Sequence, residues 1–356
     1  GPTFAFKDFA LQLLGNLYEH ILKEKKLSLT ILGATSGDTG SAAIYGCSKS
    51  SKINLFILFP KGKVSEIQRK QMTTFNNPNV FNVEVDGNFD DCQRLVKKFF
   101  FENKKKYNLA AINSINWVRI MGQIVYYFWS FFKIEKDFKP IDFVVPTGNF
   151  GNVYAGFYAK KMGLPIENLI VASNKNDILT RFFNSGSMKV KQTSSSLSPS
   201  MDIQVSSNFE RLLHHFLKDR KKVSNLINKI DKKGKYSVPK QLLTKILKEF
   251  AGGSVSDSKT KQSIKKIYND FNIIIDPHTA VGYSIGKKLL KNSEKRVYLS
   301  TAHFSKFFNT VKNSLKISLK YPKKMKEILK KKEYYLTINN EIDEIKRVID
   351  EKILKI

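Results

Sequence analysis

The residues best suited to chemistry fall in four short stretches. Lys7 stands in Phe4-Ala5-Phe6-Lys7-Asp8-Phe9, one amine among three aromatic rings. Partial burial lowers the pKa of such an amine and makes it nucleophilic enough to form a Schiff base, whereas an open surface would let its stem simply lie over the rings. Thr147-Gly148-Asn149-Phe150-Gly151-Asn152 places two glycines between an apolar run and a helical pattern. Free amides and the positive end of a helix favour an anion there, most simply a phosphate, although the same loop also reads as a tight turn. Thr35-Ser36-Gly37-Asp38-Thr39-Gly40 offers hydroxyls, a carboxylate and helix-start amides, or an N-cap made by Ser36 or Asp38. Ser300-Thr301-Ala302-His303 sets hydroxyls after another apolar run, either to meet a ring nitrogen or to cap the next helix.

Other chemistries lose their support from spacing. No Gly-Lys-Ser/Thr ends a loop, since Gly62-Lys63 is followed by Val64, and the dinucleotide pattern Gly-x-Gly-x-x-Gly is absent. The five histidines lack metal-ligand spacing, so His278 and His303 read as structural and no metal site is predicted. What remains is an amine able to condense with an aldehyde, a glycine cup for a phosphate and a late threonine for a ring nitrogen. Together these are what pyridoxal phosphate requires.

The elements that must position these groups follow a repeating rhythm of short β-branched run, small-residue loop and helical pattern, the signature of a parallel α/β sheet. Strands are predicted over 27–32, 53–59, 80–85, 141–145, 169–172, 272–275 and 296–299. Helices are predicted over 41–44, 65–75, 90–101 and 153–162. From Asn174 to Gly253 the rhythm breaks into a Ser-rich loop, Thr193 to Ser200, and helical segments with the Lys-rich Asp231 to Lys235 between them. Ile342, Ile345, Val348, Ile349 and Ile353 recur at helical spacing and predict a terminal helix docked by one apolar face. In an open parallel sheet ligands sit beyond the carboxyl ends of strands, where three of the four stretches lie.

Composition narrows the class further. With 356 residues, 42% hydrophobic and 26% charged, the chain is long enough for two ordinary domains and has the balance of a folded protein. No apolar run approaches the roughly 20 residues of a membrane span, and Cys47 and Cys92 are too few for a disulfide framework, which points to a reducing, cytoplasmic setting. The formal charge is +30, but the lysines lie in scattered runs (104–106, 221–222, 323–324, 330–332) without interleaved aromatics, which predicts no specific nucleic-acid partner. The chain opens at Gly1 inside a motif and without Met, so a preceding segment, with any targeting signal on it, is expected.

An ordered set of motifs resembles the threonine synthase family in its bacterial and fungal form. It comprises Gly1-Pro2-Thr3-Phe4-Ala5-Phe6-Lys7-Asp8, Ala34 to Gly40, Asn113-Ser114-Ile115-Asn116-Trp117, Pro146 to Asn152, Met201-Asp202-Ile203, Ser206 to Arg211, Asp276-Pro277-His278-Thr279-Ala280-Val281 and Thr301-Ala302-His303. The resemblance implies a fold-type II, tryptophan synthase beta-like α/β enzyme with two open, twisted, mostly parallel sheets flanked by helices and the cofactor in the cleft between domains. The implied division is a large cofactor-binding domain of 1–30 and 131–356, a small substrate-binding domain of 31–130, and a helical tail, 322–356, packed on the large domain.

It also implies a monomeric, cytoplasmic, pyridoxal-phosphate-dependent lyase that turns O-phospho-L-homoserine and water into L-threonine and phosphate. Lys7 would hold the cofactor and shuttle protons, while Gly148, Asn149, Phe150, Gly151 and Asn152 would surround its phosphate. Thr301 would meet the pyridine nitrogen. Asp38 would lie by the cofactor, and Ser36 and Thr39 by the substrate carboxylate. The substrate phosphate is placed near Lys63, Ser114, Asn116 and Arg119, because a dianionic leaving group needs donors and positive charge. One departure stands out: the family usually carries Pro-Ala after the histidine, and here Phe304-Ser305 stands in that place. The rival readings are a related phospholyase or dehydratase, and an inactive basic homologue that binds nucleic acid.

Overall fold

A computed structural model describes residues 1–103 and 106–353. Lys104 and Lys105 of the first lysine run and the last three residues of the expected tail lie outside the described residues. In chain order the strands are β1 (Leu29–Ala34), β2 (Ile53–Pro60), β3 (Val80–Val85), β4 (Leu109–Ala110), β5 (Ile141–Pro146), β6 (Ile166–Ser173), β7 (Ser187–Lys189), β8 (Lys235–Ser237), β9 (Phe250–Ser254), β10 (Arg296–Tyr298) and β11 (Leu336–Ile338). The first six helices are α1 (Lys7–Lys25), α2 (Asp38–Cys47), α3 (Glu66–Thr73), α4 (Phe89–Asn103), α5 (Trp117–Ile134) and α6 (Gly151–Lys161).

Two compact units divide the chain, Gly1–Arg119 with Lys320–Ile356, and Ile120–Leu319. In the first, a parallel sheet runs in the order β11-β3-β2-β1-β4. Strand β2, Ile-Asn-Leu-Phe-Ile-Leu-Phe-Pro, is an almost unbroken apolar run because both its faces are covered. Leu55, Ile57 and Phe59 pack with Leu11, Leu14, Ala42 and Ile44 of α1 and α2. Phe56 and Leu58 point the other way, into Val83, Leu95, Phe99, Ile345 and Ile349. That is the two-residue period of a strand read on both faces.

The second unit holds a parallel sheet in the order β10-β5-β6-β9 and a separate antiparallel pair, β7-β8. Phe143 and Val145 of β5 face one core with Phe157, Leu169 and Phe209, and Val144 faces another with Ile170 and Val281.

Each of the two parallel sheets contains a reversal of strand order. From β1 the chain passes to β2 and β3 on one side, while β4 pairs on the other, so the loops leaving β1 and β4 meet at a reversal of strand order. The same holds for β5, flanked by β6 on one side and β10 on the other. Such reversals open the crevices in which α/β sheets take ligands.

The structure differs from the sequence reading in three places. Residues 1–30 and 322–356 belong with 31–119 rather than with a large domain. Leu11 and Leu14 bury against α2, β11 adds to β3, and the apolar stripe of the Ile342–Ile353 helix covers Leu95 and Phe99. Residues 272–275 form no strand: Asn272 caps the preceding helix in the left-handed region and Ile273 is exposed. The fourth strand of that sheet is instead β9, Phe-Ala-Gly-Gly-Ser, inside the stretch expected to be irregular.

Candidate active site

In the first unit Lys7 opens α1 and its side chain is 14% exposed, with Nζ 3.4 Å from Asp38 Oδ2. The turn before it is fixed by buried Asp8, which accepts from the Thr3 amide at 2.8 Å and from the Thr3 hydroxyl. Asp38 opens α2, so two helix starts bring amine and carboxylate together. The loop between β1 and α2 is held by Thr35, whose Oγ1 accepts from the amides of Gly37 and Gly40, each at 2.9 Å. Gly37 has φ +128°, which an L side chain rarely adopts. Asp38 Oδ1 accepts from Gln68 Nε2 at 2.9 Å, a partner thirty residues away in sequence.

The expected substrate contacts of this unit have more varied surroundings. Ser36 is exposed and Thr39 half-buried at the first turn of α2, and Lys63 is exposed after the turn that ends β2. Ser114 is half-buried in the loop after β4. Asn116 is committed to that loop: its Oδ1 accepts from the Val118 amide at 3.0 Å and its Nδ2 donates to the Ala111 carbonyl at 3.2 Å. Arg119 is buried and donates to the Ile112 carbonyl at 2.9 Å. Burial pushes its guanidinium down to about 10, which still leaves it charged at neutral pH.

In the second unit the glycine loop leaves β5 at its carboxyl end. Ser206 Oγ donates to the Gly148 carbonyl at 2.7 Å, and the amide and side chain of Asn208 both donate to the Asn149 carbonyl, at 3.1 and 3.0 Å. In a planar trans peptide the carbonyl and the following amide point opposite ways. Holding these two carbonyls back therefore turns the Asn149 and Phe150 amides outward on the other side. Phe150 has φ 61° and its ring is fully buried against Phe209 and Phe250, which pins the turn. The first backbone bond of α6 runs from the Tyr154 amide to the Phe150 carbonyl, so the helix leaves the amides of Gly151, Asn152 and Val153 without an acceptor within it. Asn152 is turned inward, its carbonyl and Oδ1 within 2.8 and 3.0 Å of the Tyr127 hydroxyl. A Cβ on Gly148 would stand 3.2 Å from the Ser200 carbonyl oxygen and the Met201 Cα.

Thr301 lies three residues beyond β10, the neighbour of β5, and is 8% exposed. Its hydroxyl bonds to no protein group among the described residues. His303 caps the next turn, its Nδ1 accepting from the Ser305 amide at 3.2 Å, and burial lowers its pKa against the opposing pull of Asp276. Where the family usually has Pro-Ala, Phe304 lays its ring 4.4 Å from His303 and buried Ser305 bonds that imidazole. His278 is also structural. Its Nδ1 bonds Asp276 Oδ1 at 2.8 Å and its Nε2 accepts from the Ser200 amide at 3.3 Å, so the proton sits on Nδ1.

Asp276 is fully buried and takes the amides of His278 and Thr279 and the Thr279 hydroxyl as well. Asp276→Ala removes an N-cap and strands buried donors, for which we expect a loss of about 3 kcal/mol in a urea titration.

In the second unit, outward amides at a helix start suit a phosphate and the Thr301 hydroxyl suits a ring nitrogen; in the first, a half-buried lysine beside a carboxylate suits an aldehyde. No cluster of His, Cys, Asp or Glu suited to a metal occurs among the described residues. Sequence reasoning missed Gln68, Ser206 and Asn208. The latter two lie inside a motif of the resemblance, and Ser65-x-x-Gln68 reads as an ordinary capping box.

Comparison with known proteins identifies the family. Residues 1–300 match the family model described as pyridoxal-phosphate dependent enzyme, so the chain is a member of that class and has its fold-type II architecture of parallel sheets flanked by helices. Residues 279–349 match the model for the threonine synthase C-terminal region. Threonine synthase of Saccharomyces cerevisiae is 43% identical over 100% of this chain and 77% of its own length. That of Pseudomonas aeruginosa is 43% identical over 99% and 76%. A solved structure of pyridoxal-phosphate-bound threonine synthase from Brucella melitensis superposes with a TM-score of 0.94 at 39% identity, covering 99% of this chain and 76% of that one. The chain belongs to the threonine synthase family.

Proposed function

We propose that this chain makes L-threonine and phosphate from O-phospho-L-homoserine and water, with pyridoxal phosphate as cofactor. The observation that carries the reading is the loop after β5, whose carbonyls are held by Ser206 and Asn208 so that its amides face outward at the start of α6. Gly148, Asn149, Phe150, Gly151 and Asn152 would hold the cofactor phosphate. Thr301 would face the ring nitrogen, and Lys7 would bind the aldehyde carbon. When bound, the cofactor supplies an electron sink for the negative charge left as the amino acid loses its α-proton.

Lys7 Nζ, beside Asp38, is the base for that proton and moves the next ones. A proton leaves Cβ, phosphate departs from Cγ, Cγ gains a proton, water gives its hydroxyl to Cβ, and Cα regains a proton as water's remaining proton replaces it on the base. Ser36 and Thr39 bind the substrate carboxylate at the start of α2. Lys63, Ser114 and Arg119 supply donors and charge for the substrate phosphate, with Asn116 fixing the loop that carries Ser114. Both cysteines are buried free thiols, which supports the cytoplasmic setting. Among the described residues no helix is long and apolar enough to cross a membrane.

The test is parallel measurement of phosphate and threonine from O-phosphohomoserine with the cofactor-loaded protein. Equal amounts are expected. Phosphate released with a keto acid in place of threonine would make the chain a phospholyase, and no release would overturn the reading.

A further inference from the structure

We infer that Gln68 and Ser65 are positioning residues for Lys7, acting through Asp38 as a relay that runs inward from the exposed N-cap of α3. The inference deepens the assignment of Lys7 as the cofactor-binding lysine and rests on it for its functional meaning. Ser65 caps α3, its Oγ accepting from the Gln68 amide at 3.4 Å. The same hydroxyl donates to Gln68 Oε1 at 2.8 Å. In an ordinary capping box the glutamine would reach back to the cap's own amide. Here it reaches outward, and its Nε2 donates to Asp38 Oδ1.

A carboxylate only accepts, so the amide must present its NH2 to Asp38, and the Ser65 proton on the other end fixes that orientation. Gln68 and Asp38 are each 4% exposed. With Oδ1 pinned, Oδ2 is the oxygen left to meet Lys7 Nζ at 3.4 Å. Gly37 makes room for the arrangement, since a Cβ there would come within 2.8 Å of the Gln68 side chain.

The other charged groups of these elements are turned elsewhere. Asp8 bonds Thr3, Arg69 pairs with Glu333, Lys70 donates to the Leu329 carbonyl, and Glu66 is exposed. Asp38 therefore stabilises the ammonium form of Lys7 by an amount that depends on its being held. A carboxylate free to rotate spends less of its time beside the amine. Loosening it lets Lys7 lose its proton at lower pH.

The experiment measures acylation of Lys7 by acetic anhydride across pH in the full chain without cofactor, mapped by peptide mass spectrometry, because only the neutral amine reacts. Asp38→Asn is expected to lower the midpoint by about one unit or more, the size of shift an opposite charge at this range produces. Gln68→Leu should lower it in the same direction by less, and Ser65→Ala by less again. In the Asp38→Asn background Gln68→Leu should cause no further shift.

An unchanged midpoint in Gln68→Leu, or an equal shift with and without Asp38, overturns the relay. Should Gln68→Leu fail to fold by circular dichroism, Gln68→Asn, one methylene shorter, completes the same cycle. Borohydride reduction with pyridoxal phosphate separately asks whether Lys7 carries the cofactor. If no label lands on Lys7 that assignment fails, while the acylation cycle still decides the relay.

Discussion

Lys7→Ala is expected to form no measurable threonine and to lack the visible absorbance that pyridoxal phosphate gives when joined to a lysine. One positioned acid or base typically contributes about 100- to 10,000-fold. In the proposed mechanism one amine serves several proton transfers and also anchors the cofactor, so the losses compound beyond detection. The substitution should leave the fold intact. Lys7 occupies the first turn of α1, whose burial comes from Leu11 and Leu14, and Asp38 keeps Gln68 as a partner when the amine is gone. Circular dichroism and the urea midpoint would show this, while absorbance, phosphate release and threonine formation would show the chemical defect. Wild-type turnover in the folded variant would remove Lys7 from the mechanism.

The parts of this site that are legible in the sequence are those set by neighbours along the chain. A β-branched run leading into glycines and a helical pattern reports local backbone geometry, so the loops at Thr35 and Thr147 and the short stretch at Thr301 can be read as strand-end loops. The partners that give these loops their direction lie far away in sequence. Ser206 and Asn208 act on a loop fifty-odd positions earlier, and Gln68 reads as a capping residue until the structure shows its amide against Asp38. Strand neighbours are likewise long-range facts: that β10 lies beside β5, and β11 beside β3, leaves no periodic trace.

Propensity also misleads where tertiary contacts decide. Ile273-Ile274-Ile275 is β-branched yet forms no strand, since Asn272 has already turned the chain with φ 53°. Conversely β9 pairs along its whole length with β6 although it contains Gly252-Gly253. The tail is the apolar-faced helix that its spacing predicts, but a stripe of isoleucines does not say which unit it will cover.

Gly148→Val tests the loop proposed to hold the cofactor phosphate and should weaken pyridoxal phosphate binding by up to about 100-fold, the upper end of what overpacking a tight position costs. The reason is steric and local. Even the first added carbon would stand 3.2 Å from the Ser200 carbonyl oxygen and the Met201 Cα, with Ile203 Cδ1 at 3.5 Å. Two of those three atoms are backbone, in a segment fixed by the bond from the Ser200 amide to His278, so the glycine loop must be the part that moves. Moving it breaks the register with Ser206 and Asn208, and the amides they turn outward lose their common aim. Cofactor titration monitored by absorbance reads the affinity, and excess cofactor should restore part of the turnover, because Lys7 is untouched. Unchanged affinity in the folded variant would mean that the cofactor phosphate is held elsewhere than on this loop.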